Sequence, residues 1–350
     1  MPPSSRRPLV SRRRLLQGGA GLFTLAALGG GAWGVRQALA EDADGGYIDI
    51  RTPAERDIRE RPVHNHTVLQ SFAFDNVNSH IYVIQIMQGG LQLPGEPEPV
   101  PWSKRHADGD MCLTKLDLQA NKLGYMYVKG FGHGVAIGVE PADDGSTYLW
   151  TETDNNPDSG YGRAITRFAF VDEQILEYGV GDLEVHRMRP GSTSNTPSVD
   201  MLNRRLLLRY IDRSGAEPVV RYGVYDLDAV KEGRYEPLHD IARVGVEEGE
   251  VFQGFTLYGD HVYQMTGTSY TDEDGDNPPS KHGNCHLSAI DVRTGELVDR
   301  AWTQAAYSLP FREPEGVAVQ MTQPPRLYMG FASGDGGARQ ISLYYKPQQA

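Results

Sequence analysis

The chain has 350 residues and a net charge of −12, with 40 Gly, 22 Pro and 18 Tyr. Residues 1–40 hold six Arg and no acid, so the remainder sets 28 basic against 46 acidic residues, a net of −18. A body this acidic is a poor partner for nucleic acid or an anionic membrane surface, and its Gly/Pro/Tyr content favours many short strands and tight turns over helices.

The N-terminus reads as an address. Ser11-Arg12-Arg13-Arg14-Leu15-Leu16-Gln17 has the adjacent arginines of a twin-arginine signal, and a Gly- and Ala-rich apolar run follows to Trp33. Ala38-Leu39-Ala40 is a small-x-small cleavage site, which predicts Glu41 as the mature N-terminus. The alternative, an uncleaved membrane anchor, requires a span that is barely long enough and rich in Gly. The expected organisation is a signal peptide over 1–40, an extension over 41–65 and one domain over 66–350. The Tat translocase is the expected partner during export, and a secreted, cell-wall associated monomer the expected product.

From residue 66 a unit repeats. Gln70-Ser-Phe-Ala-Phe-Asp75, His133-Gly-Val-Ala-Ile-Gly138, Asn195-Thr-Pro-Ser-Val-Asp200, Gln253-Gly-Phe-Thr-Leu-Tyr258 and Glu315-Gly-Val-Ala-Val-Gln320 each pair a polar and a small residue with an alternating apolar segment. Their lead residues are spaced 63, 62, 58 and 62 apart. A turn and an apolar-aromatic segment follow each lead, and further short strands complete the unit. About four antiparallel strands at period two, repeated radially five times, predict an all-β, five-bladed β-propeller. The fifth unit runs out near Tyr345 after three strands, so a strand from the N-terminal side should close it, with Tyr47–Ile50 and His66–Leu69 as candidates.

Propeller geometry puts the five leads, Gln70, His133, Asn195, Gln253 and Glu315, around one mouth of the central channel. The long loops Met87–Asp110, Glu152–Arg163, Thr268–Asn284 and Ala332–Gly337 should stand at the same mouth. A ring of amide, imidazole and carboxylate groups suits a polar ligand such as a sugar, and it equally suits bound water. Trp102, in the Pro-rich loop over the mouth, is a candidate stacking platform. Trp150 and Trp302 read as blade core. The residues favour a binder over an enzyme. If a reaction is catalysed, His133 and Glu315 are the base and acid, with Glu140, Glu152 and Asp154 as more distant carboxylates.

No cofactor is required by any motif. Asp272, Asp274 and Asp276 space oxygens like half of a calcium loop but lack its downstream Glu, so an acidic surface loop is the competing reading. Cys112 and Cys285 fall in units one and four, which are not neighbours in a ring of five. They should be buried, unpaired thiols.

The sequence resembles the β-propeller domain shared by teichoic acid biosynthesis protein C-like proteins and the receptor-binding proteins of certain Gram-positive phages. The resembling pieces include Gln70–Asp75 with Ile81-Tyr82, Gly109-Asp110-Met111-Cys112-Leu113-Thr114-Lys115-Leu116-Asp117, Gly124-Tyr125-Met126 and Gly130-Phe131-Gly132-His133-Gly134 with Glu140. Leu149-Trp150-Thr151-Glu152, Gln253-Gly254-Phe255 and Glu313-Pro314-Glu315-Gly316 complete the set. The resemblance implies a five-bladed propeller linked to cell-wall glycopolymers, and in the phage proteins to recognition of wall teichoic acid. It brings no catalytic residues with it. A glycopolymer or oligosaccharide is therefore the expected ligand.

Overall fold

A computed structural model of the chain describes residues 46–348. The twin-arginine segment, the apolar run and the cleavage site lie outside the described residues. Among the described residues no helix is long and apolar enough to cross a membrane.

Five sheets form the five blades. Blade 1 contains β2 (Leu69–Asp75), β3 (His80–Ile86), β4 (Met111–Asp117) and β5 (Lys122–Lys129). Blade 2 contains β6 (Gly138–Pro141), β7 (Thr147–Asn156), β8 (Tyr161–Ala169) and β10 (Glu184–His186). Blade 3 runs from β11 (Thr193–Asp200) through β12 (Arg205–Asp212) and β13 (Val219–Asp226) to β14 (His239–Ala242). Blade 4 runs from β15 (Phe252–Tyr258) through β16 (His261–Thr266) and β17 (His286–Asp291) to β18 (Leu297–Trp302). Blade 5 holds β19 (Glu313–Gln320), β20 (Arg326–Ser333) and β21 (Gln340–Lys346).

The closing strand is β1 (Glu55–Arg61), which pairs antiparallel with β21. Neither expected segment does this. Tyr47–Ile50 forms no sheet pairing; instead Ile48 and Ile50 are buried between blades 4 and 5, and the Ile48 amide donates to the Tyr263 hydroxyl at 2.7 Å. Leu69 is the first residue of β2 itself. Part of the stretch read as an extension is thus the outer edge of a blade. A second departure is β9 (Ile175–Glu177), which leaves blade 2 and adds to blade 1 parallel to β5. Among the described residues two short α-helices interrupt the β architecture, α1 (Trp102–Asp108) and α2 (Leu227–Lys231). Asp226 caps α2 by accepting from the Ala229 amide at 2.7 Å.

Every blade junction has its own apolar core. Phe72, Leu69 and Tyr328 pack between blades 5 and 1, and Ile84, Met126 and Leu149 between blades 1 and 2. Trp150, Leu208 and Tyr225 fill the next junction, and Leu207, Phe255 and Val262 the one after. Tyr263, Leu287 and Phe331 pack between blades 4 and 5. Each such fully buried side chain contributes roughly 1.5–3 kcal/mol relative to exposure. Trp150 is core as expected. Trp302 is not: it is 48 % exposed at the end of β18, with its indole N–H on the Gly283 carbonyl.

The inner strands meet at the axis through the small slot of the repeat. The Ser71 hydroxyl donates to the Gly134 carbonyl at 2.6 Å. A Cβ on Gly254 would lie 2.7 Å from the Gly316 Cα, and one on Gly316 would lie 2.8 Å from the Ser71 Cα. Gly316 also has φ +77, in the left-handed region. Beyond this ring the channel narrows to a void of about 40 Å³, flanked by residues such as Phe74, Val199 and Val319. That is room for a few waters and no passage for a ligand.

Cys112 and Cys285 are both free and buried, as their placement in blades 1 and 4 requires. Titration of the denatured, unreduced protein should count two thiols; a count of zero would contradict the ring order. Gly316→Ala should destabilise the protein by about 1–3 kcal/mol in urea unfolding, through backbone strain and overpacking at the axis. Gly336→Ala, where an added Cβ meets nothing within 4 Å, should change stability by less than about 0.5 kcal/mol.

Candidate functional site at the channel mouth

The ring of small residues floors a cavity of about 810 Å³ at one end of the axis. Four of the five lead residues, Gln70, His133, Gln253 and Glu315, line it, as does Trp102. Asn195 does not. It is 3 % exposed, its Nδ2 donates to the Arg163 carbonyl at 3.1 Å and its Oδ1 accepts from the Ser192 hydroxyl at 2.9 Å. Asn195 therefore fastens β11 to blade 2. The expected five-membered polar ring is a four-membered one.

One wall is aromatic. Trp102 and His106 project from α1, with ring centroids 5.2 Å apart. His106 meets His133 edge-on at 5.5 Å, and His133 stacks on Tyr161 at 4.8 Å. These four rings come from three separate stretches of chain, so neither His106 nor Tyr161 stands out in the linear repeat.

Two buried ionic devices hold that wall. Arg105, 1 % exposed, binds Glu96 at 2.6 Å and Asp110 at 2.8 Å, and so folds the long Met87–Asp110 loop back over the mouth. The Arg105 guanidinium holds the Glu96 carboxyl down at about 2. Glu152 is the second device. Its two carboxyl oxygens accept the Gly134 and Gly162 amides, each at 2.6 Å. It thereby pins the turn carrying His133 and the hairpin carrying Tyr161 against each other. Burial pushes its pKa up to about 7, against the pull of those amides. Glu152 is a positioning residue. Glu140 is likewise structural, bound to Trp150 Nε1, Arg167 and Lys231, and Asp154 pairs with Arg187 and Arg163.

The opposite wall is polar and largely unsatisfied. Gln253 donates its Nε2 to the Gly267 carbonyl at 2.8 Å, and its Oε1 has no hydrogen bond among the described residues. Glu315 is 6 % exposed and has no hydrogen bond or ion pair among the described residues. Burial, and then the neighbouring Glu313, raise its pKa well above the usual carboxylate range. Glu313 is raised by burial and moderated by Arg339, which also lines the cavity. His133 goes the other way: burial, then His106, lower its pKa to about 4, so it is a neutral imidazole at physiological pH. Its Nδ1 is buried without a partner. The mouth thus offers a carboxyl whose proton is held more tightly than usual, a neutral imidazole and amides.

The Thr268–Asn284 loop lies off this cavity. Asp272, Asp274 and Asp276 are exposed, and among the described residues no group of three or more His, Cys, Asp or Glu is arranged to hold a metal ion.

Carboxyls with folded pKa values above their unfolded values stabilise the fold fully below about pH 4.5 and lose that contribution as the pH rises through the folded pKa. Buried histidines such as His64 and His133, with pKa values lowered to about 4, act in the opposite direction, so the carboxyl contribution is read from the difference between two proteins. Glu315→Gln, which cannot ionise, should melt a few degrees higher than wild type at pH 8, and that advantage should shrink as the pH is lowered to 5. Parallel pH profiles for the two proteins would contradict the burial of an unpaired acid here.

Known proteins share this fold. A family described as the phage 5-bladed β-propeller receptor-binding platform domain matches residues 68–345. A Bacillus subtilis (strain 168) protein provisionally named major teichoic acid biosynthesis protein C is 27 % identical over 293 residues, covering 81 % of this chain and 60 % of its own length. The tail fibre of Staphylococcus aureus phage P68 superposes with a TM-score of 0.64 at 19 % identity, covering 88 % of this chain and 56 % of that one. A glycoside hydrolase family 43 arabinoxylan arabinofuranohydrolase from Bacillus subtilis aligns at 11 % identity and a TM-score of 0.44, over 83 % of this chain and 66 % of that one. The chain therefore spans somewhat more than half the length of the first two, and with one family model covering nearly all of the propeller, it belongs to the family of the phage five-bladed β-propeller receptor-binding platform domain.

Proposed function

We propose that this protein is exported and binds a cell-wall or other extracellular glycopolymer in the channel-mouth cavity. The observation that carries the reading is the pairing of surfaces there. An aromatic wall of Trp102, His106, His133 and Tyr161 faces unsatisfied polar groups on Gln70, Gln253 and Glu315. A sugar ring has an apolar face and a rim of hydroxyls, and needs both. The cavity is closed at its floor, so a polymer enters by an end or lies across the mouth. Membership in a receptor-binding family and the teichoic acid name of the Bacillus subtilis relative support a wall polymer as the ligand class. The twin-arginine pattern of residues 11–17 supports export by the Tat translocase.

A second reading rests on one observation, the buried and unpartnered Glu315. A carboxyl whose pKa is raised by burial is suited to donate to a leaving oxygen, and the neutral His133 to accept a proton from water. This would make the same site hydrolytic.

Retention on purified cell walls separates the readings. His133→Ala and Gln253→Ala should each weaken binding at least about tenfold, a loss of roughly 1.4 kcal/mol. Trp302→Ala, on the outer strand of blade 4, should bind as wild type does. Unchanged binding in both cavity variants would sink the proposed site. Turnover of a glycopolymer panel that disappears in Glu315→Gln, with retention preserved, would establish the hydrolytic reading instead.

A further inference from the structure

A second concave surface lies away from the channel mouth. It is an open groove of about 790 Å³ between the Thr268–Asn284 loop of blade 4 and the connection from β18 to β19. It shares no lining residue with the channel-mouth cavity. Arg339 separates the two: it lines the cavity, and its guanidinium carbon sits 3.3 Å from the centre of the Phe311 ring, which lines the groove.

The groove is rigidly built. Arg312 is fully buried, lies over the Tyr270 ring at 5.6 Å, and donates Nε and Nη2 to the Ala305 and Thr303 carbonyls. The Tyr270 amide donates to the Phe311 carbonyl at 2.7 Å, and its hydroxyl to the Tyr307 carbonyl at 2.8 Å. Asn277 Nδ2 ties the blade 4 loop to the Thr268 and Ser269 carbonyls. His282, Ala306, Phe311 and Arg312 all hold positive φ in these two stretches. Such backbone is costly for a residue with a side chain, and it persists where the surroundings impose it, often at binding surfaces.

The lining is aromatic and prolyl. Tyr307 is 54 % exposed, and Pro279, Pro310 and Phe311 continue its surface. Few polar groups face a ligand. The Tyr270 and Thr271 hydroxyls are taken by backbone, and Ser308 accepts from Arg59. The Tyr307 hydroxyl alone of the groove's phenols has no hydrogen bond among the described residues. A saccharide, ringed by hydroxyls, needs more partners than this. A polyproline II chain does not: its prolines carry no N–H, and its apolar ridges fit between aromatic rings. The rim is acidic. Asp272, Glu273, Asp274 and Asp276 are exposed against Lys281, and none of the four carboxylates makes an ion pair among the described residues. Arg59, near Ser308, is already paired with Glu60.

We propose that this groove docks a basic, proline-rich segment of a partner polypeptide in the polyproline II conformation. Its prolines pack between Tyr270 and Tyr307, and its arginines or lysines meet Asp272 and the acidic loop. The site stands independently of the glycopolymer reading and gives the propeller a second, protein-binding surface.

Calorimetric titration of the full chain with a synthetic oligoproline carrying arginines tests it, beside the same peptide with glutamate in place of arginine and cellohexaose as a neutral saccharide. The arginine peptide should bind saturably, and at least about tenfold more tightly than the glutamate peptide at low salt, a preference that shrinks as salt is raised. Tyr307→Ala should weaken the arginine peptide at least about tenfold, since it removes the exposed aromatic anchor. Asp272→Ser combined with Asp274→Ser should abolish most of the preference for arginine; both side chains are exposed and unpaired, so this variant keeps the fold. No saturable binding of the arginine peptide, equal affinity for the two peptides at low salt, or binding undiminished in Tyr307→Ala overturns the proposal. Cellohexaose binding that disappears in Tyr307→Ala would make the groove a saccharide site and overturn it as well. Absence of wall retention would defeat the glycopolymer reading and leave this one standing, because no wall polymer enters the titration.

Discussion

The close approach of five inner strands at the axis governs this molecule. Ser71, Gly134, Thr196, Gly254 and Gly316 occupy one slot of the repeat, and at Gly254 and Gly316 the neighbouring backbone leaves no room for a Cβ. Gly254 lies against Gly316, Gly316 against Ser71, and the Ser71 hydroxyl bonds to the Gly134 carbonyl. The ring closes the channel there, and the preceding residue of each repeat is carried to the rim of the cavity above. A packing requirement thus decides where four of the five polar leads go. Their chemistry is then free to vary between amide, imidazole and carboxyl without disturbing the ring.

Polar groups in the structure fall into two kinds. Glu140, Glu152, Asn195 and the Arg105 ion-pair cluster are buried and bonded to neighbours, and they fasten one segment to another. Glu315 and the Nδ1 of His133 belong to cavity-lining residues and have no hydrogen-bond partner among the described residues. Such groups cost stability, and others, among them His80 Nδ1, Tyr82 Oη and His261 Nδ1, lie elsewhere in the blades. The same logic places the pKa shifts: Glu315 is pushed up and His133 down by the same loss of solvent.

The blade count was legible because the repeat keeps its spacing near 60 residues and its polar-small pair in every unit. The lead residues were legible for the same reason, with one exception. Nothing in the linear pattern reveals that Asn195 has Ser192 and the Arg163 carbonyl within reach. The closing strand was obscured by its composition. Glu55–Arg61 reads Glu-Arg-Asp-Ile-Arg-Glu-Arg, charged as an outer edge strand must be, so it resembles a solvated extension. Trp302 looked like core because it ends a strand, but that strand is the outermost of its blade. The aromatic wall was illegible, since it joins residues from different blades and loops and no local period links them.

The central claim is that the ligand occupies the cavity above the axial ring. A crystal structure of the protein soaked with purified wall-polymer fragments tests this most directly. The account predicts density against the His133–Tyr161 stack, within hydrogen-bonding distance of Gln253 or Glu315 and reaching toward Phe252. Fragments that bind in solution but appear in the crystal only elsewhere, such as the groove between Tyr270 and Tyr307, would contradict it.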